Sequence, residues 1–155
     1  MSKAYDRVEW DFLEEVMRTM GFPRRWRMLI MKCVRSVTYS VMINGQQCGY
    51  IKPSRGIRQG DPLSPYLFLL CAEGLSGLLN KAKEEKMIKG VSAARNGPQV
   101  THLFFVDDSL LFCQAKRAEC LEILRILQLY ERSSGQKVNM EKVRDFFQLK
   151  YIRGG

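Results

Sequence analysis

The adjacent carboxylates Asp107 and Asp108 sit in the run Leu103-Phe104-Phe105-Val106-Asp107-Asp108-Ser109-Leu110-Leu111-Phe112. The apolar stretches on either side are too short for an ordinary helix and rich in Phe, Val and Leu. Each reads as a buried strand, and the pair as a hairpin. A two-residue hairpin turn favours Asn-Gly or Asp-Gly, because its central residues need positive φ. Asp-Asp is a poor choice there. Two such charges about 4 Å apart at an effective dielectric of 20 repel by roughly 4 kcal/mol. A divalent cation reverses the sign of that interaction. Clustered carboxylates on a rigid tip suit two-metal phosphoryl transfer, with ions about 3.5–4 Å apart. A solvated acidic turn between strands is the competing reading, and this stretch alone leaves both open.

The elements that must carry this tip follow from hydrophobic spacing. Val8, Phe12, Leu13, Val16, Met17 and Met20 recur at helical intervals. Gly21 ends that helix and Pro23 begins the next, which runs from about Arg24 to Val37 with Trp26, Leu29, Ile30, Cys33 and Val34 on one side. Its other side is basic, with Arg24, Arg25, Arg27, Lys32 and Arg35, and suits either solvent or a nucleic-acid backbone. Residues 38–43 and 49–52 read as strands around the turn Asn44-Gly45. A loop rich in glycine and proline, Pro53 to Pro65, opens onto a long helix from about Ser64 to Lys86. Such a loop lets a ligand approach the backbone closely, though it also serves as an ordinary connection. Turns at Lys89-Gly90-Val91 and Asn96-Gly97-Pro98 lead into the Asp-Asp hairpin. An amphipathic helix from Lys116 to Arg132 follows, with Cys120, Ile123, Leu124, Leu127 and Tyr130 inward, closed by Ser134-Gly135. The order αα-ββ-α-ββ-α predicts an α+β domain.

Composition narrows the partners. The chain has 155 residues, an apolar fraction of 46% and a formal charge of +9, enough for one core and a strongly basic surface. That charge fits a phosphate backbone without choosing between DNA, RNA and an anionic membrane. Five cysteines, with no Cys-x-x-Cys pair and a single histidine, exclude a usual zinc site. Their odd number predicts free buried thiols in a reducing, intracellular setting. The apolar window Tyr66 to Leu79 is too short to span a bilayer and contains Glu73. No secretory leader is expected.

Four segments together resemble the reverse transcriptase domain of non-LTR (LINE-type) retrotransposons, most closely those of plants. Ser2 to Trp10 is similar to the tail of the family's first catalytic motif, and Ser54 to Pro65 to its second palm motif. Phe105-Val106-Asp107-Asp108 matches the F/Y-x-D-D box, with Val106 where Ala is usual. Ser134 to Asn139, followed by Lys142, resembles the fourth motif. The resemblance covers residues 1–142 and implies a partial right-hand polymerase palm, leaving 143–155 as a degenerate tail. It implies two Mg²⁺ ions held by Asp107 and Asp108, acting on a primer end and the incoming nucleotide's phosphates. It puts Tyr5 under the nucleotide sugar, where its ring rejects a 2′-hydroxyl. Arg58, Gln59 and Gly60 are placed beside the nucleotide and template. Lys142 is placed at the leaving pyrophosphate. Template RNA, a DNA primer and dNTPs are the partners it implies.

The departures from the family pattern matter equally. The family's metal-bridging aspartate of the first motif would stand just before Met1. Its leading strand, the fingers and the thumb have no counterpart in these residues. The expectation is a palm fragment that is inactive in isolation, with an exposed apolar sheet edge. Two alternatives are a non-catalytic basic nucleic-acid-binding remnant and a decayed open reading frame without function.

Overall fold

The computed structural model describes residues 5–92, 94, 97–105 and 108–139. Gly21, with φ of +81°, and Pro23, with φ of −56°, break the first apolar run into α1 (Trp10–Thr19) and α2 (Arg24–Arg35). Next come β1 (Tyr39–Ile43) and β2 (Gln46–Ile51), joined through Asn44-Gly45 with positive φ at both residues. The long helix α3 (Ser64–Glu84) follows. A short hairpin of β3 (Val91–Ser92) and β4 (Gln99–Val100) precedes β5 (His102–Phe105), β6 (Asp108–Leu111) and α4 (Arg117–Ser134). The predicted order holds, with β3 and β4 added where sequence indicated only turns. The architecture is α+β: four helices and three separate two-stranded antiparallel sheets among the described residues.

Helix α3 is the spine. Its N-terminal half, through Leu67, Phe68 and Cys71, joins a core with Val8, Leu13 and Met17 of the first segment, Met31 and Val34 of α2, and Ile57. Its C-terminal half, through Leu75, Leu79 and Ala82, joins a second core with Ile88 and with Ile123, Ile126, Leu127 and Tyr130 of α4. Phe12 packs against both cores and meets Tyr130 edge-to-face at 5.6 Å. Gly74 is what lets α1 come this close, since a Cβ there would stand 2.9 Å from the Phe12 ring. Leu13, Met17, Leu75 and Leu79 are fully buried, each worth about 1.5–3 kcal/mol of transfer free energy.

The second core is locked at the end of α4. The Tyr130 hydroxyl donates to Gln136 Oε1 at 2.6 Å and lies 3.1 Å from the Cys71 carbonyl oxygen. Burial pushes the Tyr130 phenol up from its ordinary range and the Cys71 thiol up to about 12, so both stay neutral. Gly135, with φ of +72°, caps the helix and lies directly beneath the Arg7 carbonyl. The Glu9 N–H donates to the Ser134 carbonyl at 2.9 Å. At the other end of α4, buried Glu119 accepts the backbone N–H groups of Lys89 at 3.1 Å and Gln114 at 3.0 Å, stapling two loops to the first turn.

Three expectations are corrected. The strands of the Asp-Asp hairpin are not buried on both faces. Phe104 and Leu111 pack on the second core, while Leu103, Leu110 and Phe105 face outward, Phe105 at 79% exposure. The period of two in a hairpin covered on one side explains this. Helix α2 buries Met31 and Val34, whereas Trp26, Leu29 and Cys33, expected inward, are exposed. Among the cysteines Cys71 is buried, Cys113 and Cys120 are half-buried with sulfurs 3.7 Å apart, and Cys33 and Cys48 are exposed.

Candidate active site

The first segment is fixed against the loop before α3 by backbone pairing. The Ile57 N–H donates to the Tyr5 carbonyl at 2.9 Å, and the Gly56 N–H to the Val8 carbonyl at 2.8 Å. The Trp10 indole N–H donates to the Gly56 carbonyl at 2.7 Å across 46 residues of sequence. Gly56 has φ of +87°, and a Cβ there would stand 2.8 Å from the Asp6 carbonyl oxygen. Only glycine meets both demands. The Tyr5 ring, half-buried, stacks on Phe68 of α3 with centroids 4.9 Å apart and planes 15° from parallel.

The loop from Arg58 to Ser64 is closed on itself. The Ser64 hydroxyl donates to the Arg58 carbonyl at 2.6 Å, and Asp61 Oδ1 accepts the Leu63 N–H at 2.8 Å. These bonds leave Arg58, Gln59 and Gly60 exposed at the turn, with Gly60 at φ of +86° and open space around it. A groove of about 410 Å³ runs between the two segments, lined in part by Asp6, Tyr39, Arg55, Arg58 and Gln59. Its rim combines two guanidinium groups, a carboxamide and one carboxylate. Guanidinium forks match phosphate oxygens.

Asp108 opens β6, opposite Phe105 in the ladder, and is exposed. Asp107 and Lys142 lie outside the described residues, as does the stretch 143–155. Among the described residues no three His, Cys, Asp or Glu side chains cluster as a metal cage. Mg²⁺ needs no such cage. One or two carboxylates, with water and substrate phosphates, complete its shell, and the oxygen donor of Asp108 is of the right type. The structure thus ties Tyr5 through its backbone to Ile57, the residue before the Arg58-Gln59-Gly60 loop, and sets Arg58 and Gln59 at the groove. Sequence reasoning gave no role to Phe68 or to the bracing by Trp10 and Ser64. Phe68 stands one helical turn after Ser64, which is a usable signal once the helix start is known.

Residues 1–152 match the family described as reverse transcriptase (RNA-dependent DNA polymerase). The chain belongs to the reverse transcriptase family. Three relatives show its surroundings. An uncharacterized mitochondrial protein of Arabidopsis thaliana is 53% identical over 68 residues, 44% of this reverse transcriptase chain and 56% of that protein. The retrovirus-related Pol polyprotein from type-1 retrotransposable element R2 of Popillia japonica is 27% identical over 140 residues, 90% of the chain and 22% of the polyprotein. The transposon TX1 uncharacterized 149 kDa protein of Xenopus laevis is 26% identical over 145 residues, 90% of the chain and 10% of that protein. This reverse transcriptase domain is therefore related to non-LTR retrotransposon Pol proteins, as its four motifs imply, and spans about half or less of each of these relatives.

Proposed function

We propose that these residues form part of the palm of an RNA-directed DNA polymerase, adding deoxynucleotides to a primer end on an RNA template. The observation that supports this best is the groove lined by Arg58 and Gln59 of the braced loop, with Tyr5, held by Phe68, tied through its carbonyl to Ile57 just before that loop. The groove takes the nucleotide. The Tyr5 ring, fixed from beneath, leaves no room for a 2′-hydroxyl. Arg58 pairs with phosphate oxygens, and Gln59 and Gly60 lie along the base and template. Asp107 and Asp108 would hold Mg²⁺, which would supply charge stabilisation for phosphoryl transfer. Lys142 neutralises or protonates the departing pyrophosphate.

Mg²⁺-dependent extension of a DNA primer on an RNA template tests the reading. The assay pairs these 155 residues with the same span carried in a longer product. Activity in the longer product alone assigns the remaining groups to residues outside this span. Asp107→Asn is expected to lower the rate at least about 10²-fold, with binding of the template-primer unchanged. Extension that survives Asp107→Asn sinks the proposal. The +9 charge favours a second reading, a purely electrostatic nucleic-acid binder. It predicts salt-sensitive binding and no extension in either product.

A further inference from the structure

Helix α2 combines two features that a helix packed only for stability avoids. It carries five cations and no acid, and it exposes Trp26 at 60%, Met28 at 59% and Leu29 at 49%. Arg35, in its last turn, is paired with Glu14 at 3.1 Å and Asp11 at 3.6 Å on α1. Arg24, Arg25 and Lys32 are exposed and form no ion pair with a described residue. Arg25, Leu29 and Lys32 follow one another along a single face, and Trp26 borders that face one turn before Leu29. Met31 and Val34, which fasten the helix to the first core, point the opposite way.

We infer that this exposed face of α2 docks a single-stranded nucleic acid, with phosphates on Arg25 and Lys32 and a base stacked on Trp26. The inference deepens the polymerase reading and rests on it for the class of partner. The charge decides against a second copy of the chain. A two-fold contact would set the cationic patch of Arg24, Arg25 and Lys32 on one copy against the same patch on the other. The exposed indole decides for a single strand, since a base must leave its stack to lie on an aromatic ring. Arg25 and Lys32 are seven residues apart, about 10 Å along the axis, so one extended strand can reach both.

The test is a salt series of binding titrations of the full 155-residue chain with a 12-nucleotide single-stranded RNA and with the duplex of the same sequence. Folding of each variant is checked by circular dichroism and melting. Arg25→Ala/Lys32→Ala is expected to weaken the single strand at least about tenfold and to flatten the log–log salt slope by about 1.4, two contacts at about 0.7 each. Lys81→Ala/Lys116→Ala removes the same charge elsewhere and is expected to change affinity by no more than about twofold. Trp26→Ala is expected to cost the single strand about tenfold and the duplex little, with Trp26→Phe restoring most of the loss. Equal losses in the α2 and control variants overturn the inference, and so does failure to bind RNA. An α2 dependence seen only with phosphatidylserine vesicles overturns it in favour of a membrane surface. The polymerase reading is judged separately, since Asp107→Asn acts on extension and not on this binding.

Discussion

His102 is the single histidine of the chain, and β5 sets its ring between the hydroxyls of Ser76, 2.8 Å from Nε2, and Thr101, 2.9 Å from Nδ1. Burial lowers its pKa from the ordinary imidazole value, with Glu73 opposing and Lys83 adding to the shift. The unfolded chain therefore binds the proton more readily than the folded one. Stability is full above the usual imidazole range and is lost as pH falls through it. Melting temperature is expected to drop between about pH 7.5 and 5.5, and His102→Asn to flatten that drop. An unchanged slope in the variant would refute the assignment. At Gly56 the forced backbone and the nearby Asp6 carbonyl act together, so Gly56→Ala is expected to cost about 1–3 kcal/mol in denaturant titration. Gly60→Ala meets open space and is expected to cost about 1–2 kcal/mol, from the left-handed backbone alone. At this scale the sequence marks Asp107 and Asp108 because their turn chemistry is anomalous. It does not mark the role of Gly56 or Phe68, which depends on partners brought from far along the chain.

The helices were legible as elements because their apolar spacing is strong and Gly or Pro punctuates their ends. Orientation was less legible. In α2 the apolar residues occupy most of the circumference, and periodicity cannot say which of them a neighbouring helix will cover. Met31 and Val34 are covered, while Trp26 and Leu29 are not. The β1–β2 hairpin was found through Asn44-Gly45, yet its isolation was not. Residues 39–51 contain no charge, yet Val41, Met42, Ile43, Tyr50 and Ile51 are all exposed. The hairpin's extensive contacts are internal. Replacing residues 40–50 with a short Gly-Ser turn is accordingly expected to move the melting temperature by less than about 3 °C. A fall of about 10 °C would show that it braces the core.

Across the molecule, two hydrophobic cores share one long helix and one bridging ring. Phe12→Ala is expected to cost about 3–5 kcal/mol and to broaden the melting transition, since α1 and α4 would keep only weaker ties. A sharp, unshifted transition would show that α3 alone couples the halves. Sequence predicted the α+β class but not this division, because nothing in local periodicity reports which buried residues meet. The clasp at the end of α4 has a consequence for the order of events in the cell. Arg7 and Glu9 lie against Ser134 and Gly135, so this fastening joins residues far apart in the order of synthesis. At about 5–20 residues per second, the Glu9 N–H waits on the order of ten seconds of synthesis for its Ser134 partner. The first core, drawn from Val8 to Cys71, can form before α4 is made, whereas the clasp can close only after residue 135 has been translated.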